Sequence, residues 1–388
     1  MIAALKRQRE ESEEEEIISA FVLYSEFIRR GQQACASYAY AVNAVIRAYV
    51  QHRGGDQACR VFATVPSRSF NPALICAKSF VQEFRFTHAE MDRVVLALLN
   101  AGFPRKVRSK ARDKCSLYEA VCMMCCKYAW PERLGSMGTK VFFTSVSRMS
   151  RLISALRKLI FHHFHGKLAM PDPVSVARLE EFCAAVKVKS GHSLCFGFID
   201  GTVRPMCKPS FLQGINYTGK DRTHALKYQA LTCPDGMFLQ LCGPWPGSRH
   251  DQYMVRESKL VPYIQSLPRR HDGGLYVVYA DQGYSDDVGV ETPYFDAAVN
   301  AQHEAFNQAM ASSRITVEWQ FGGILQNWAA NDMVRLQQLL SNRKIGQVYI
   351  VSGFLCNLLN TLRPNNTSQY FGVQPPMLEA YLVSMYQA

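Results

Sequence analysis

A mixed α/β (α+β) fold is predicted by three features of the sequence. Apolar residues recur at helical spacing up to about Val188. Runs rich in β-formers follow at residues 194–202, 223–232, 237–242 and 275–280, and helical spacing then returns as far as Leu362. A chain of 388 residues, at about 100–200 residues per domain, is expected to form two or three domains.

Composition narrows the class before any motif is read. Hydrophobic residues make up 48% and charged residues 20%, enough to build a large core. No apolar run is read as reaching the ~18 residues of a membrane span. Met1-Ile2-Ala3-Ala4-Leu5-Lys6-Arg7 lacks a signal-peptide apolar region, so a soluble, intracellular protein with no membrane partner is expected. Thirteen cysteines without a repeated spacing argue for reduced thiols rather than a disulfide framework. Cys122, Cys125 and Cys126 contain one C-x-x-C with no second pair, and that spacing fits buried small residues on a helix better than zinc or redox use. A formal charge of +12 points to a polyanionic partner, nucleic acid before membrane surfaces, and not to an activity.

Residues 1–16, with six glutamates after a basic start, read as an acidic disordered tail. Residues 17–85 open with two amphipathic helices, carried by Ile17, Phe21, Tyr24 and Ile28 and then by Tyr38, Val42, Val45 and Tyr49; their role is not specified by sequence. In residues 86–170 the helix signals sharpen. Thr87-x-x-Glu90 is a capping box framed by Phe86 and Met91, and the helix stops at Gly102-Phe103-Pro104. The stretch 105–114 reads as a basic linker: a phosphate-contacting arm, a nuclear import signal or a solvated loop. Ser116-x-x-Glu119 caps a second helix ending near Trp130-Pro131, and a third runs from about Ser145 to Ile160. The pair fits a helix-turn-helix with Arg148, Arg151, Arg157 and Lys158 facing phosphates, although bundle packing explains the same apolar pattern. Pro171-Asp172-Pro173 marks a boundary before a short helix.

The strands come next, over residues 190–365, with a C-terminal tail at 366–388. The apolar run 194–202 presents Asp200 at its tip, or else Asp-Gly-Thr there is only a turn. Pro234-Asp235-Gly236 turns the second strand into the third. Residues 243–251 form a turn leading into a helix that reaches Leu267. The fourth strand again ends in a carboxylate, Asp281, and a helix starting near Arg314 carries Glu318.

If the strands of Asp200 and Asp281 are neighbours and the helix crosses their ends, three carboxylates share one pocket. Such a cluster repels itself unless cations fill it, and all-oxygen ligation suits Mg²⁺ or Mn²⁺. Two ions about 3.5–4 Å apart would clamp both oxygens of a phosphoryl displacement. A basic protein with that pocket reads as a nuclease or strand-transfer enzyme.

At this point residues 196–362 resemble the DDE-superfamily endonuclease domain of PIF/Harbinger-type transposases. The matching pieces are Ile199-Asp200-Gly201-Thr202; Tyr217 to Lys220 with His224-Ala225-Leu226-Lys227-Tyr228-Gln229; Pro234-Asp235-Gly236; Pro246-Gly247-Ser248-x-x-Asp251; Asp281-Gln282-Gly283-Tyr284; Phe306-Asn307; and Arg314-x-x-x-Glu318-x-x-Phe321-Gly322. The helices from Ser116 to Ile160 resemble the helix-turn-helix that precedes this domain in the family.

The resemblance implies a ribonuclease-H-like DDE catalytic domain preceded by an α-helical helix-turn-helix region. It implies cut-and-paste chemistry on double-stranded DNA, in which metal-activated water nicks transposon ends and the freed 3′ hydroxyl attacks target DNA. Asp200, Asp281 and Glu318 are then the catalytic residues and the ligands of two Mg²⁺ (or Mn²⁺) ions. A Myb-like DNA-binding partner, a homo-oligomer and a nuclear location are implied by the resemblance alone.

Asp251 is read as a helix cap, as support for the ligands or as a ligand itself, and Arg314 as a contact to the scissile phosphate or a brace for Glu318. His224 and His250 are read as structural hydrogen-bonders, since Mg²⁺ seldom uses imidazole. One departure stands out: Ala280 precedes Asp281 where the family commonly has glycine, tolerable unless that backbone needs positive φ. The competing readings are a domesticated transposase-derived DNA-binding protein without catalytic activity, and an RNA-directed nuclease. The three intact acids weigh against the first and the DNA-acting family against the second.

Overall fold

The computed structural model describes residues 69–295, 300–339 and 344–386. The tail at 1–16 and the helices expected over 17–50 lie outside the described residues.

The described chain opens with helices α1 (Ala77–Phe84) and α2 (His88–Asn100). Thr87 and Glu90 form the predicted capping box on α2, each side chain bonding the other's backbone amide. The expected basic linker is instead an antiparallel ribbon of β1 (Lys106–Arg108) and β2 (Lys114–Ser116), because Val107 and Cys115 alternate inward into the core. Helix α3 (Leu117–Ala129), with Ser116 as N-cap, ends just before Trp130 as predicted. Its Cys122, Cys125 and Cys126 are at most 1% exposed, and burial raises all three thiols, so they stay protonated near neutral pH.

A short helix α4 (Leu134–Met137) and a π turn lead to α5 (Val146–Ala169), capped by Ser145 and longer than the sequence suggested. That connection is longer than the three or four residues of a helix-turn-helix. Helix α6 (Val176–Ser190) follows the proline pair.

The sheet begins with β3 (Cys195–Pro205), then a turn α7 (Gln213–Asn216), β4 (Tyr217–Thr218), β5 (Thr223–Thr232) and β6 (Phe238–Pro246). Residues 243–246, expected to be a turn, continue β6 through a cis Gly243–Pro244 bond. The helix expected to reach Leu267 is broken into α8 (Asp251–Glu257) and α9 (Leu260–Ser266), with Lys259 left-handed at the break. Strands β7 (Val277–Tyr279) and β8 (Val290–Glu291) complete the sheet. The order is β4-β5-β3-β7-β8, with β6 also on β5. Strands β3, β5 and β6 run antiparallel, and β7 and β8 run parallel to β3. This mixed order is consistent with a ribonuclease-H-like domain.

The remaining helices are α10 (Ala301–Asn327), α11 (Ile345–Leu362), α12 (Asn366–Phe371) and α13 (Leu378–Tyr386). Helix α10 begins well before Arg314, where the sequence placed its start. Helix α11 is long and apolar enough to cross a membrane by length and composition alone, contrary to the sequence reading. It is 67% buried, packed on α5 and β6, and serves as a core helix. Residues 195–199 are buried on consecutive positions because α6 and α10 cover β3. One apolar cluster runs from Phe80 through the sheet to α13, and Arg363 ties it to Glu90 through an ion pair.

Candidate active site

Asp200 and Asp281 come together because β3 and β7 are parallel neighbours. The register pairs Phe198 with Tyr279, so the residues two further along each chain emerge side by side. Asp200 is not at a strand tip, and Asp-Gly-Thr is not a turn. Strand β3 continues to Pro205, with Gly201 opposite Gln229 and Thr202 opposite Tyr228 on β5, whereas β7 stops at Tyr279.

Arg314 and Glu318 lie one turn apart on α10, which packs on β3. The Arg314 guanidinium donates to Asp200 Oδ2 at 2.7 Å and to Glu318 Oε1 at 3.4 Å. The first bond joins two side chains that are 19% and 15% exposed; the second reaches Glu318, whose side chain is 54% exposed. Asp200 also accepts the Gly201 amide at 2.8 Å. Burial is the largest influence on Asp200 and lifts its carboxyl to about 6; Arg314 and the Gly201 amide oppose this, while Asp281 and Glu318 add to it.

Asp251 belongs to the same group. It occupies the first turn of α8, but His250 is the N-cap and makes no side-chain capping bond, so the capping role is not what Asp251 shows. A Cβ placed on Gly283 would fall 2.7 Å from Asp251 Oδ2 and 3.1 Å from Asp281 Oδ1. The two carboxylates therefore meet across a glycine whose amide donates to Asp281 at 2.9 Å. Lys227 lies 3.8 Å from Asp251 and donates to the Arg249 carbonyl at 2.7 Å. Burial raises the Asp251 carboxyl, Lys227 pulls it down and Asp281 pushes it up. Ala280 is not among the positive-φ residues, so the alanine before Asp281 costs no backbone strain.

Two members were not singled out from sequence. The Tyr284 hydroxyl is buried without a hydrogen-bond partner among the described residues. A Cβ on Gly201 would lie 3.3 Å from that hydroxyl and 3.6 Å from Asp251 Oδ1. Burial first, then Asp251, Asp200 and Asp281, raise this phenol well above its ordinary value. Lys227 is the other. Both stood inside quoted motifs, and only packing shows which motif residues face the acids.

Four carboxylates and an unpartnered phenol make an all-oxygen donor set, which fits a hard divalent cation in kind. Burial lifts Asp200 most, and Asp281 and Glu318 add the repulsion that such an ion would relieve. In the arrangement shown, no three His, Cys, Asp or Glu among the described residues stand close enough to hold one ion. Arg314 bridges Asp200 and Glu318 instead. Of its two bonds, the one to Glu318 is the longer and the more exposed. None of the four acids lines the 590 Å³ cavity beside α3 and α5 or the 270 Å³ cavity beside Asp235.

Comparison with known proteins gives one match. Residues 199–357 match the family described as DDE superfamily endonuclease, a transposase-type nuclease family acting on DNA. Searches of curated proteins and of solved structures gave no significant match. Through residues 199–357, which carry all four acids and Arg314, the chain is similar to the DDE superfamily endonucleases.

Proposed function

We propose that this chain is a Mg²⁺-dependent (or Mn²⁺-dependent) DNA endonuclease of the transposase type, hydrolysing phosphodiester bonds at transposon ends and transferring the freed strand. The observation that carries the reading is the β3–β7 register that sets Asp200 beside Asp281, opposite Glu318 on α10, within the stretch that matches the DDE endonucleases.

In this reading Asp200, Asp281 and Glu318 hold the cation. When bound, it supplies Lewis-acid polarisation of the scissile phosphate and lowers the pKa of water. Asp200 contributes a desolvated carboxylate on a central strand that cannot drift. Arg314 keeps that carboxylate oriented, and on releasing Glu318 it presents two N–H donors to a phosphate oxygen. Asp251, neighboured by Lys227, sets the position of Asp281 across Gly283. The PIF/Harbinger subtype, a DNA-binding role for the region of α3 and α5, a Myb-like partner, a homo-oligomer and a nuclear location belong to the same proposal and are supported by the motif resemblance.

The test is nicking of a supercoiled plasmid by the purified chain. Nicking is expected with Mg²⁺ or Mn²⁺ and is abolished by EDTA; nicking that persists in EDTA contradicts the proposal.

A further inference from the structure

The arginines of α5 do not form a free phosphate-binding row, because each is engaged within the chain. Arg157 is 4% exposed and bonds Gln347 at 3.3 Å. Arg148 donates to the Thr144 hydroxyl at 2.9 Å and to the Lys114 carbonyl at 2.8 Å, and lies 3.7 Å from Glu119. Arg151 grips both oxygens of Asp113, at 2.5 and 3.1 Å. Arg148 and Arg151 are thus spent on the β1–β2 ribbon.

The ribbon itself carries five exposed cations, Lys106, Arg108, Lys110, Arg112 and Lys114. Its register places Arg108 opposite Lys114 and Lys106 opposite Ser116, all exposed, with Val107 and Cys115 turned into the core. Lys110 and Arg112 are exposed at the tip. The tip is closed rather than loose: the Ser109 amide donates to the Asp113 carbonyl at 2.9 Å, the Ser109 hydroxyl to Asp113 Oδ2 at 2.7 Å, and Arg112 is left-handed. Asp113 is the only acid between Arg105 and Ser116, and Arg151 neutralises it. Lys106, Arg108, Lys110, Arg112 and Lys114 have no carboxylate partner among the described residues. Together these features make a rigid, uniformly basic two-stranded arm.

We propose that the β1–β2 ribbon is a duplex-DNA-binding arm that enters the major groove and contacts phosphates through Lys106, Arg108, Lys110, Arg112 and Lys114, with Arg148 and Arg151 as the positioning residues that brace it on α5. The partner class rests on the endonuclease reading above; the location does not. A two-stranded ribbon fits the B-form major groove, about 12 Å wide, and not the deep, narrow major groove of duplex RNA. The arm carries no aromatic side chain between Arg105 and Ser116, so it offers no stacking platform for single strands.

The experiment is a salt titration of the full chain against a fluorescent B-form duplex of three helical turns, ~30 base pairs, followed by anisotropy. The Lys106→Gln/Arg108→Gln/Lys114→Gln variant is compared with Lys78→Gln/Lys187→Gln/Arg269→Gln, an equal charge change at exposed sites elsewhere. The ribbon variant should bind at least about tenfold more weakly, with a slope of log K against log salt shallower by about 0.9 for each phosphate it no longer neutralises, while the control keeps the wild-type slope. Equal behaviour of the two variants overturns the arm and leaves DNA binding standing. A wild-type chain that does not bind the duplex overturns both, and an equal weakening on duplex RNA overturns the B-form assignment. As a readout independent of any variant, amide hydrogen exchange over residues 105–116 of the wild-type chain should slow on adding the duplex; no slowing contradicts the proposal.

Discussion

The guanidinium of Arg314 lies 2.7 Å from Asp200 Oδ2, a charge-assisted bond between a helix and the central strand at the middle of the acidic site. Without it a desolvated carboxylate faces two others. Breaking one partner of a buried pair typically costs about 3–5 kcal/mol. Arg314→Gln should therefore lower the unfolding free energy by about 1–2 kcal/mol near neutral pH, because Asp200, already raised to about 6, takes up a proton rather than stay charged and unpaired; urea denaturation reads the loss. The loss should shrink towards pH 5, where Asp200 takes up its proton.

Asp200 itself sets a pH dependence. Its carboxyl is raised from 3.8 to about 6, so the folded chain binds this proton more tightly than the unfolded chain. Its contribution to stability is fully present below about pH 4 and falls as pH rises through about 6. The shift corresponds to on the order of 3 kcal/mol. Asp200→Asn should be more stable than the parent at about pH 7.5 and equal to it near pH 4, measured by thermal melts without added metal. Added Mn²⁺ should raise the melting temperature of the parent only.

Gly283 is the contact point of two acids. A methyl group there would sit 2.7 Å from Asp251 and 3.1 Å from Asp281, so Gly283→Ala should push the carboxylates apart. A drop in Mn²⁺ affinity of roughly tenfold or more is expected, of the size seen when groups supporting metal ligands are disturbed. Electron paramagnetic resonance of free Mn²⁺ reads it, with a circular dichroism spectrum like the parent's.

Much of the site was legible because its acids follow strand-like runs. The runs before Asp200 and Asp281 are continuous, apolar and rich in β-formers, and the structure makes both of them strands, side by side. What periodicity could not show was that β3 continues past Gly201, since Asp-Gly-Thr is also good turn chemistry and only pairing with β5 decides. The ribbon was missed for a related reason. Its inward positions are just Val107 and Cys115, too few to register as alternation among so many charges. Arg148 and Arg151 looked like phosphate ligands because sequence shows charge but not the carbonyl and carboxylate that packing brings to them. Lys227 and Tyr284 were in view as motif members, but their place beside Asp251 depends on contacts between β5, α8 and the turn after Asp281.

The most direct measurement is cleavage of a supercoiled plasmid carrying the element's terminal repeats, comparing the chain with Asp281→Asn in Mg²⁺, Mn²⁺ and EDTA. Cutting at the repeat ends that needs metal and disappears in the variant is the predicted result. Repeat binding with no cutting in any metal, or equal cutting by the variant, would contradict the assignment of this acidic site to catalysis.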